Sequence, residues 1–151
     1  IPTVVLRYFN VYGSRQKPDN PYSGVCTKFT YRVLRGEPPL VFEDGFQTRD
    51  FVFVKDVAWV NVKSLINSSV DYKILNIGSG KPVKIIDVAL QIIRVLNAEV
   101  KPVITGEFRE GDVRHSCANI DKARKLLNFN PTPFEDGVKE LISWLWQRGV
   151  D

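Results

Sequence analysis

The sequence predicts an α/β fold in which a doubly wound parallel sheet ends and a smaller mixed α/β domain is added. Three observations support this prediction. Residues 3–9 are an unbroken run of β-forming residues, typical of a parallel strand covered on both faces. Residues 51–54 form a second short strand, followed by helical spacing of apolar residues and a third strand at 74–77. Residues 85–96 repeat apolar residues every three or four positions, the pattern of a helix with one buried face.

The first part of the chain leads from the strand at 3–9 into a long loop at 10–24 that is rich in proline and glycine. Open α/β sheets bind their ligands at the carboxyl ends of the strands, so this loop is a candidate ligand-binding segment. Ser23 is predicted to cap a helix that stops at Gly36 and carries Arg32 on its surface. A short strand at 40–42 follows.

The central stretch, residues 44–57, carries a turn directly into the strand at 51–54. The turn is predicted at Asp44 and Gly45, which places Arg49 and Asp50 at the mouth of the strand. An arginine held there can aim its planar guanidinium at a phosphate or a carboxylate. A surface pair between Arg49 and Asp50 explains the local sequence equally well.

The later elements follow from the spacing of apolar residues. The segment 56–69 has near-helical spacing and precedes the strand at 74–77, so a β-α-β crossover is predicted. The remaining elements are a helix at 85–96, a strand at 100–104, a helix at 121–127 and a helix at 134–146.

Composition narrows the classes of partner. The chain has 151 residues and a net charge of +4, from 21 basic and 17 acidic side chains without a long run of one sign, so no nucleic-acid partner is predicted. Cys26 and Cys117 lie far apart and the only histidine is His115, so neither a metal site nor a disulfide is predicted and a reducing cytoplasm is expected. No apolar stretch is long enough to cross a membrane. Because the chain begins at Ile1 without a signal pattern, we expect it to start within a longer protein.

Gly78, Ser79 and Gly80 lie between a predicted strand and a predicted helix, where glycines can let backbone N–H groups approach a pyrophosphate. A dinucleotide-binding turn needs a third glycine, and Val83 stands in its place. The sequence therefore favours a structural turn between strand and helix.

The charged loop at 106–116 contains Arg109, Asp112 and Arg114 between glycines. Arginine side chains can donate hydrogen bonds to the oxygens of a diphosphate, and a carboxylate can accept hydrogen bonds from sugar hydroxyls. A solvated, salt-bridged loop is the alternative, and the local sequence slightly favours it. No serine, cysteine or histidine has a partner at the spacing of a hydrolytic triad, so no catalytic residue is predicted.

Six motifs, in order, match one known family. They are L-R-Y-F-N-V-Y-G (6–13), Y-S-G-V (22–25), Q-T-R-D-F-V-F-V-K-D-V-A (47–58), N-I-G-S-G (76–80), R-E-G-D-V-R-H-S (109–116) and the tryptophan-bearing last helix. Together they resemble the C-terminal half of extended short-chain dehydrogenase/reductases, in particular NAD-dependent nucleotide-sugar epimerases of the UDP-glucose 4-epimerase type. The family's Gly-rich N-terminal loop and its Tyr-x-x-x-Lys pair do not occur in this chain.

The resemblance implies a role for nine residues. Phe9 would border the nicotinamide of NAD, and Arg49 and Arg109 would bind phosphate oxygens. The remaining expectations are Asn10 and Val25 at the diphosphate, Leu40 and Phe42 at the uracil, Asp112 at the ribose and Ser116 at the sugar. Serine is small at a position where an aromatic ring would exclude an N-acetyl group, so both hexoses and N-acetylhexosamines are expected to be accepted.

The resemblance also implies the organisation and the function. Residues 1–19 and 51–83 would complete a Rossmann-type NAD-binding domain, and residues 20–50 and 84–151 would form the substrate domain. The complete protein would be a cytoplasmic, homodimeric UDP-sugar 4-epimerase of galactose metabolism, and this chain alone would be inactive. A dehydratase or decarboxylase of the same family, or a non-catalytic nucleotide-sugar binding module, are the alternatives.

Overall fold

The computed structural model describes residues 1–17 and 24–147. Within these ranges the chain forms a mixed α/β fold with parallel strand pairs, as predicted. The strands are β1 (Val5–Tyr8), β2 (Asn10–Tyr12), β3 (Leu40–Val41), β4 (Thr48–Phe53), β5 (Ile74–Ile77), β6 (Pro82–Lys84) and β7 (Val103–Ile104). The helices are α1 (Val25–Leu34), α2 (Val54–Leu65), α3 (Ile85–Leu96), α4 (Asp121–Leu127) and α5 (Phe134–Trp146), with a 3-10 turn at Ser68–Val70. None of the described helices is long and apolar enough to span a membrane.

The first strand divides into two at Phe9. β1 pairs in parallel with β5, whereas β2 pairs in parallel with β4. The backbone N–H of Phe9 still donates to the carbonyl of Ile77 at 2.9 Å, so the chain leaves one sheet and enters the next within a single residue. The prediction of a loop from residue 10 is therefore wrong for Asn10–Tyr12, which gain strand partners from distant β4.

The central strand is longer than predicted. Arg49 and Asp50 lie inside β4, not at its mouth, because β6 pairs antiparallel with β4 and places Val83 and Pro82 opposite them. The predicted crossover is present. α2 connects β4 to β5, and both strands run parallel to the β1–β2 segment, β4 beside β2 and β5 beside β1.

Two hydrophobic cores flank these sheets. The first packs α1, α3 and α5 against an aromatic group in which Tyr12 contacts Phe51, Phe53 and Phe134. The hydroxyl of Tyr12 donates to the carbonyl of Phe134 at 3.1 Å. The second core packs β5, α2 and α4 around Leu75, Ile77 and Val60. The two-domain division of the chain stays a prediction.

The N-terminus of α1 differs from its prediction. Ser23, the predicted cap, lies outside the described residues, and the structure places the N-cap at Gly24, which offers no side-chain hydrogen bond. Among the described residues, no side chain caps the first-turn N–H groups of α1.

Candidate functional site

A cavity of about 580 Å³ opens between α1, the segment around β3, the start of β4 and the charged loop. Seven of the nine predicted site residues line it, although they come from five separate parts of the chain. They are Asn10, Val25, Leu40, Phe42, Arg49, Arg109 and Asp112. A second cavity of about 240 Å³ between β1 and α2 has no charged residue in its lining, so it is a poor site for an anion.

Backbone contacts position the first wall. Asn10 lies in β2, and its amide nitrogen donates to the carbonyl of Asp50 at 3.1 Å, which fixes its side chain beside β4. Val25 begins α1, so the N-terminal end of this helix lies at the cavity. Helix N-termini favour negative charge because their N–H groups point outward and the helix dipole is positive there.

Arg49 forms an ion pair across the cavity wall. Its Nη2 lies 2.6 Å from Oδ1 of Asp112, and its Nη1 donates to the carbonyls of Thr48 and Arg114 at 2.9 and 3.3 Å. The alternative of a surface pair between Arg49 and Asp50 is wrong, because Asp50 is buried. The pair with Asp112 ties the charged loop to β4.

Arg114 anchors the same loop away from the cavity. It forms ion pairs of 2.5 Å with Glu43 and 2.6 Å with Asp44. The hydrogen bond from Arg114, with a second from the N–H of Phe46, lowers the pKa of Asp44 to about 2. The charged loop therefore combines both interpretations: Arg114 is part of a solvated salt bridge, whereas Arg109 and Asp112 line the cavity.

An apolar wall lies beside these charges. Leu40 and Phe42 line it, and the guanidinium of Arg109 lies 5.4 Å from the centre of the Phe42 ring. Such a cation–π contact orients the arginine without using its charge in an ion pair. An aromatic ring, an aliphatic side chain and a guanidinium plane together suit a flat heterocyclic base.

The glycine turn proves to be structural. The buried carboxylate of Asp50 accepts bonds from the N–H groups of Ser79 (2.6 Å), Gly80 (3.0 Å) and Ala118 (2.9 Å) and from the Ser79 hydroxyl (2.8 Å). A Cβ on Gly78 would lie 2.6 Å from the Cβ of Ala118. The N–H groups of Ser79 and Gly80 are thus engaged within the protein, which supports the structural interpretation over a pyrophosphate site.

Two predicted residues lie elsewhere. Phe9 is half-buried and packs against the second core, and Ser116 donates its N–H to the carbonyl of Thr48 at 3.1 Å. Neither lines the cavity. Phe9 follows the carboxyl end of β1, which is where open α/β sheets receive a ligand, so its position fits a residue bordering the nicotinamide ring of NAD. The roles of both residues stay predictions.

Six residues of the cavity lining were not predicted, and three of them carry polar or charged side chains. Gln47 is buried, and its Nε2 donates to the carbonyl of Phe42 at 3.0 Å, which holds the apolar wall. Lys28 and Arg32 of α1 also line the cavity, so Arg32 is not an ordinary surface residue as expected. The spacing in the sequence could have indicated them. Lys28 and Arg32 follow Val25 by about one and two helical turns, so they lie on the same face of the helix as Val25.

Solved structures share this fold. UDP-glucose 4-epimerase of Thermotoga maritima, solved with UDP-glucose, matches 98% of this chain with a TM-score of 0.91 and 34% identity, over 47% of its own length. UDP-N-acetylglucosamine 4-epimerase of Methanobrevibacter ruminantium, in complex with UDP-N-acetylmuramic acid, matches 99% with a TM-score of 0.90 and 35% identity, over 47% of its length. The chain thus has the Rossmann-type α/β fold of sugar-nucleotide epimerases.

It belongs to the NAD dependent epimerase/dehydratase family, whose sequence profile matches residues 1–78. Among its relatives, dTDP-L-rhamnose 4-epimerase of Burkholderia thailandensis is 35% identical over 97% of this chain and 40% of its own length. UDP-N-acetyl-alpha-D-glucosaminuronate decarboxylase of Bacillus cytotoxicus is 32% identical over 95% of this chain and 46% of its own length. The chain therefore spans less than half the length of these relatives.

Proposed function

We propose that this chain supplies the substrate-binding half of an NAD-dependent UDP-sugar 4-epimerase, an isomerase. The observation that carries the proposal is the meeting of seven predicted site residues around one cationic cavity. In such a reaction NAD supplies reversible hydride transfer at C4 of the sugar. The residues of this chain bind and orient the nucleotide end of the substrate.

Each wall of the cavity suits one part of a UDP-sugar. Leu40 and Phe42 offer a surface for the uracil, and the N-terminal end of α1 with Arg109 suits the diphosphate. Oδ1 of Asp112 accepts hydrogen bonds from Arg49 and from the N–H of Val113. Its Oδ2 has no partner among the described residues, so it is available to accept from a ribose hydroxyl.

A binding experiment tests this assignment. Calorimetry on the full-length protein should show micromolar or tighter binding of UDP, with much weaker binding of UMP and uridine, because the cationic wall addresses a diphosphate. Equal affinity for UDP and uridine would contradict the proposal. Residues 1–151 alone should not interconvert UDP-glucose and UDP-galactose, because no tyrosine of the chain is followed by lysine four residues later.

A decarboxylase is the second candidate, since a relative of comparable identity is named for that activity. The two reactions give different products from different sugars. NMR of the full-length protein with UDP-glucose and with UDP-glucuronate distinguishes them: the epimerase returns a C4 epimer, whereas the decarboxylase releases carbon dioxide from the uronate. A protein that binds UDP but converts neither sugar would instead be a binding module.

The accepted sugar is a further part of the proposal. Ser116 is predicted to leave room for an N-acetyl group, so the protein should use UDP-galactose and UDP-N-acetylgalactosamine alike. Ser116→Tyr should lower kcat/KM for the N-acetylated sugar selectively. If both substrates are lost equally, or neither is, Ser116 does not limit the sugar pocket. A cytoplasmic homodimer is also proposed, and sedimentation of the full-length protein tests the dimer.

A further inference from the structure

One side of α2 is apolar although no described residue covers it. The helix packs Val57 and Val60 against the second core. Val62, Leu65 and Ile66 lie on another side of the helical segment and are 60%, 86% and 75% exposed. A helix that is apolar on more than one side is normally buried within a larger structure. α2 therefore has an apolar surface that its own core does not use.

β1 and this side of α2 form the walls of a groove. The β1–α2 groove is the cavity of about 240 Å³ that is lined by Val4, Leu6, Tyr8, Asn61, Ser64 and Leu65. Ser64 is buried, and its hydroxyl has no hydrogen-bond partner among the described residues. A buried hydroxyl without a partner destabilises a fold. The groove thus lacks both apolar and polar contacts that a covering element would supply.

The outer edge of β1 lies beside the groove. β1 pairs with β5, and no strand of the described residues pairs with its other edge. The N–H of Phe9 donates to the carbonyl of Ile77, so the backbone of Tyr8, one residue earlier, points to the unpaired edge. Sheets usually have about four to six strands, and parallel sheets are covered on both faces. The edge of β1 is therefore a place for a further parallel strand.

Chain topology indicates what fills the groove. The chain matches 47% of the Thermotoga maritima epimerase and 40% of the Burkholderia thailandensis relative, so more than half of each lies outside the match. Because the motifs of this chain resemble the C-terminal half of such proteins, the additional length would precede β1. Parallel strands need a crossover, usually a helix, and about 98% of crossovers are right-handed. A preceding strand on the free edge continues the direction that leads from β1 to β5, so its crossover helix lies on the face that α2 covers.

We propose that, in the full-length protein, the β1–α2 groove holds an amphipathic helix from the half that precedes this chain. This helix leads from a parallel strand on the free edge of β1 into β1 itself. Its apolar side packs on Val62, Leu65 and Ile66, and one of its polar groups bonds the Ser64 hydroxyl. The inference rests on the proposed function only in taking this chain as half of a longer protein. It gives the exposed side of α2 a role in joining the two halves, apart from the nucleotide cavity.

Thiol labelling of the full-length protein tests whether the groove is covered. Leu65→Cys and Leu90→Cys are matched, because both leucines are exposed on a helix of this chain and only Leu65 lines the groove. The rate of reaction with a maleimide at each site is measured by mass spectrometry of peptides, in buffer and in urea. Leu65→Cys should react about a hundredfold more slowly in buffer than in urea, and Leu90→Cys less than tenfold more slowly. A slowing below tenfold at Leu65→Cys would overturn the inference.

A photocrosslink identifies what covers the groove. The full-length protein with p-benzoylphenylalanine in place of Val62 is irradiated, and the attached peptide is sequenced. The peptide should come from the segment that precedes this chain, with a yield that does not change on tenfold dilution. A peptide from residues 1–151, or a yield that falls on dilution, would contradict the proposal, and the second result would indicate another copy of the protein.

These measurements need no nucleotide, so they separate the inference from the proposed function. If the groove is covered by the preceding half but the full-length protein does not bind UDP, the inference stands and the proposed function is wrong. If the protein binds UDP but Leu65→Cys is labelled as readily as Leu90→Cys, the proposed function stands and the inference is wrong.

Discussion

Asp50 and Arg49 are neighbours in β4, but they belong to two regions that differ in how far their polar groups are paired within the protein. Asp50 is buried, and its carboxylate accepts four short hydrogen bonds from the glycine turn and from Ala118. Arg49 faces the cavity, where its partner Asp112 is half exposed and has one oxygen without a partner in the described part of the chain. Adjacent strand residues point to opposite faces, so two adjacent residues supply both regions.

The comparison shows how to separate structural from binding residues within one motif. In the Asp50 region every charged or polar group named above has a partner inside the protein, so nothing remains for a ligand. In the cavity, Lys28, Arg109 and Oδ2 of Asp112 have no hydrogen-bond or ion-pair partner among the residues that the structure describes. Substitutions should therefore change stability in the first region and affinity in the second.

The largest effect is expected for Asp50→Ala. It removes the acceptor of three part-buried or buried backbone N–H groups and one of the two acceptors of the Ser79 hydroxyl, so the free energy of unfolding should fall by about 4 kcal/mol. Urea denaturation measures it. Asp112→Ala is the matched control and should cost about 1 kcal/mol or less, since its ion pair is partly solvated. Similar losses of stability from both substitutions would contradict the distinction between a structural Asp50 and a binding Asp112.

Arg109→Ala should show the reverse pattern. UDP binding by the full-length protein should weaken by about 2–4 kcal/mol, because phosphate charge is left unpaired in a partly desolvated site. The free energy of unfolding should change by less than about 0.5 kcal/mol, since the side chain is exposed. Calorimetry and urea denaturation of the same sample check both values. A stability loss as large as the binding loss would count against a ligand role.

Alanine substitutions at two glycines test the same contrast between the tightly packed Asp50 region and the open charged loop. Gly78→Ala should lower the free energy of unfolding by about 2 kcal/mol, because its Cβ would press on Ala118 and on the Asp50 carboxylate. Gly106, at the start of the charged loop, has a φ of 72° and no atom within 4 Å of a built Cβ. Gly106→Ala should therefore cost only the backbone strain of about 1 kcal/mol. The opposite order would show that the turn around Asp50 tolerates extra volume.

The smallest effect concerns Asp44, an exposed carboxylate of the loop anchor. Its pKa is lowered to about 2 by the hydrogen bond from Arg114. Any stabilisation is complete above the ordinary pKa of the carboxyl and is lost as the pH falls toward 2. NMR titration should show this low midpoint, and Arg114→Ala should return it toward the ordinary value. Arg109→Ala, which leaves the anchor intact, should not move it.

Elements with strong local patterns could be predicted from the sequence. The bounds of α3, α4, α5 and β5 match their predictions, because each has clear apolar spacing or turn residues at its ends. β2 and β6 were missed since each has only three residues and depends on pairing with β4. Local propensity does not contain that information.

In the candidate site, too, local motifs could be predicted from the sequence but long-range contacts could not. Motifs found seven of its residues, but the partners of those residues could not be read from the chain. Arg49 and Asp112 are 63 positions apart, and Asp50 meets Ala118 across 68. Whether an arginine such as Arg49 is paired or free is a property of packing and not of local sequence.

The walls of the cavity come from positions as distant as Asn10, Lys28, Arg49 and Arg109. Contacts between such distant residues are slow to form in folding, because long loops must close before the contacts stabilise anything. We therefore expect the cavity to be completed near the end of folding. A nucleotide that binds only the completed cavity stabilises the native state but not the folding transition state. Its bound form would therefore lengthen the lifetime of the folded protein while leaving the speed of folding unchanged.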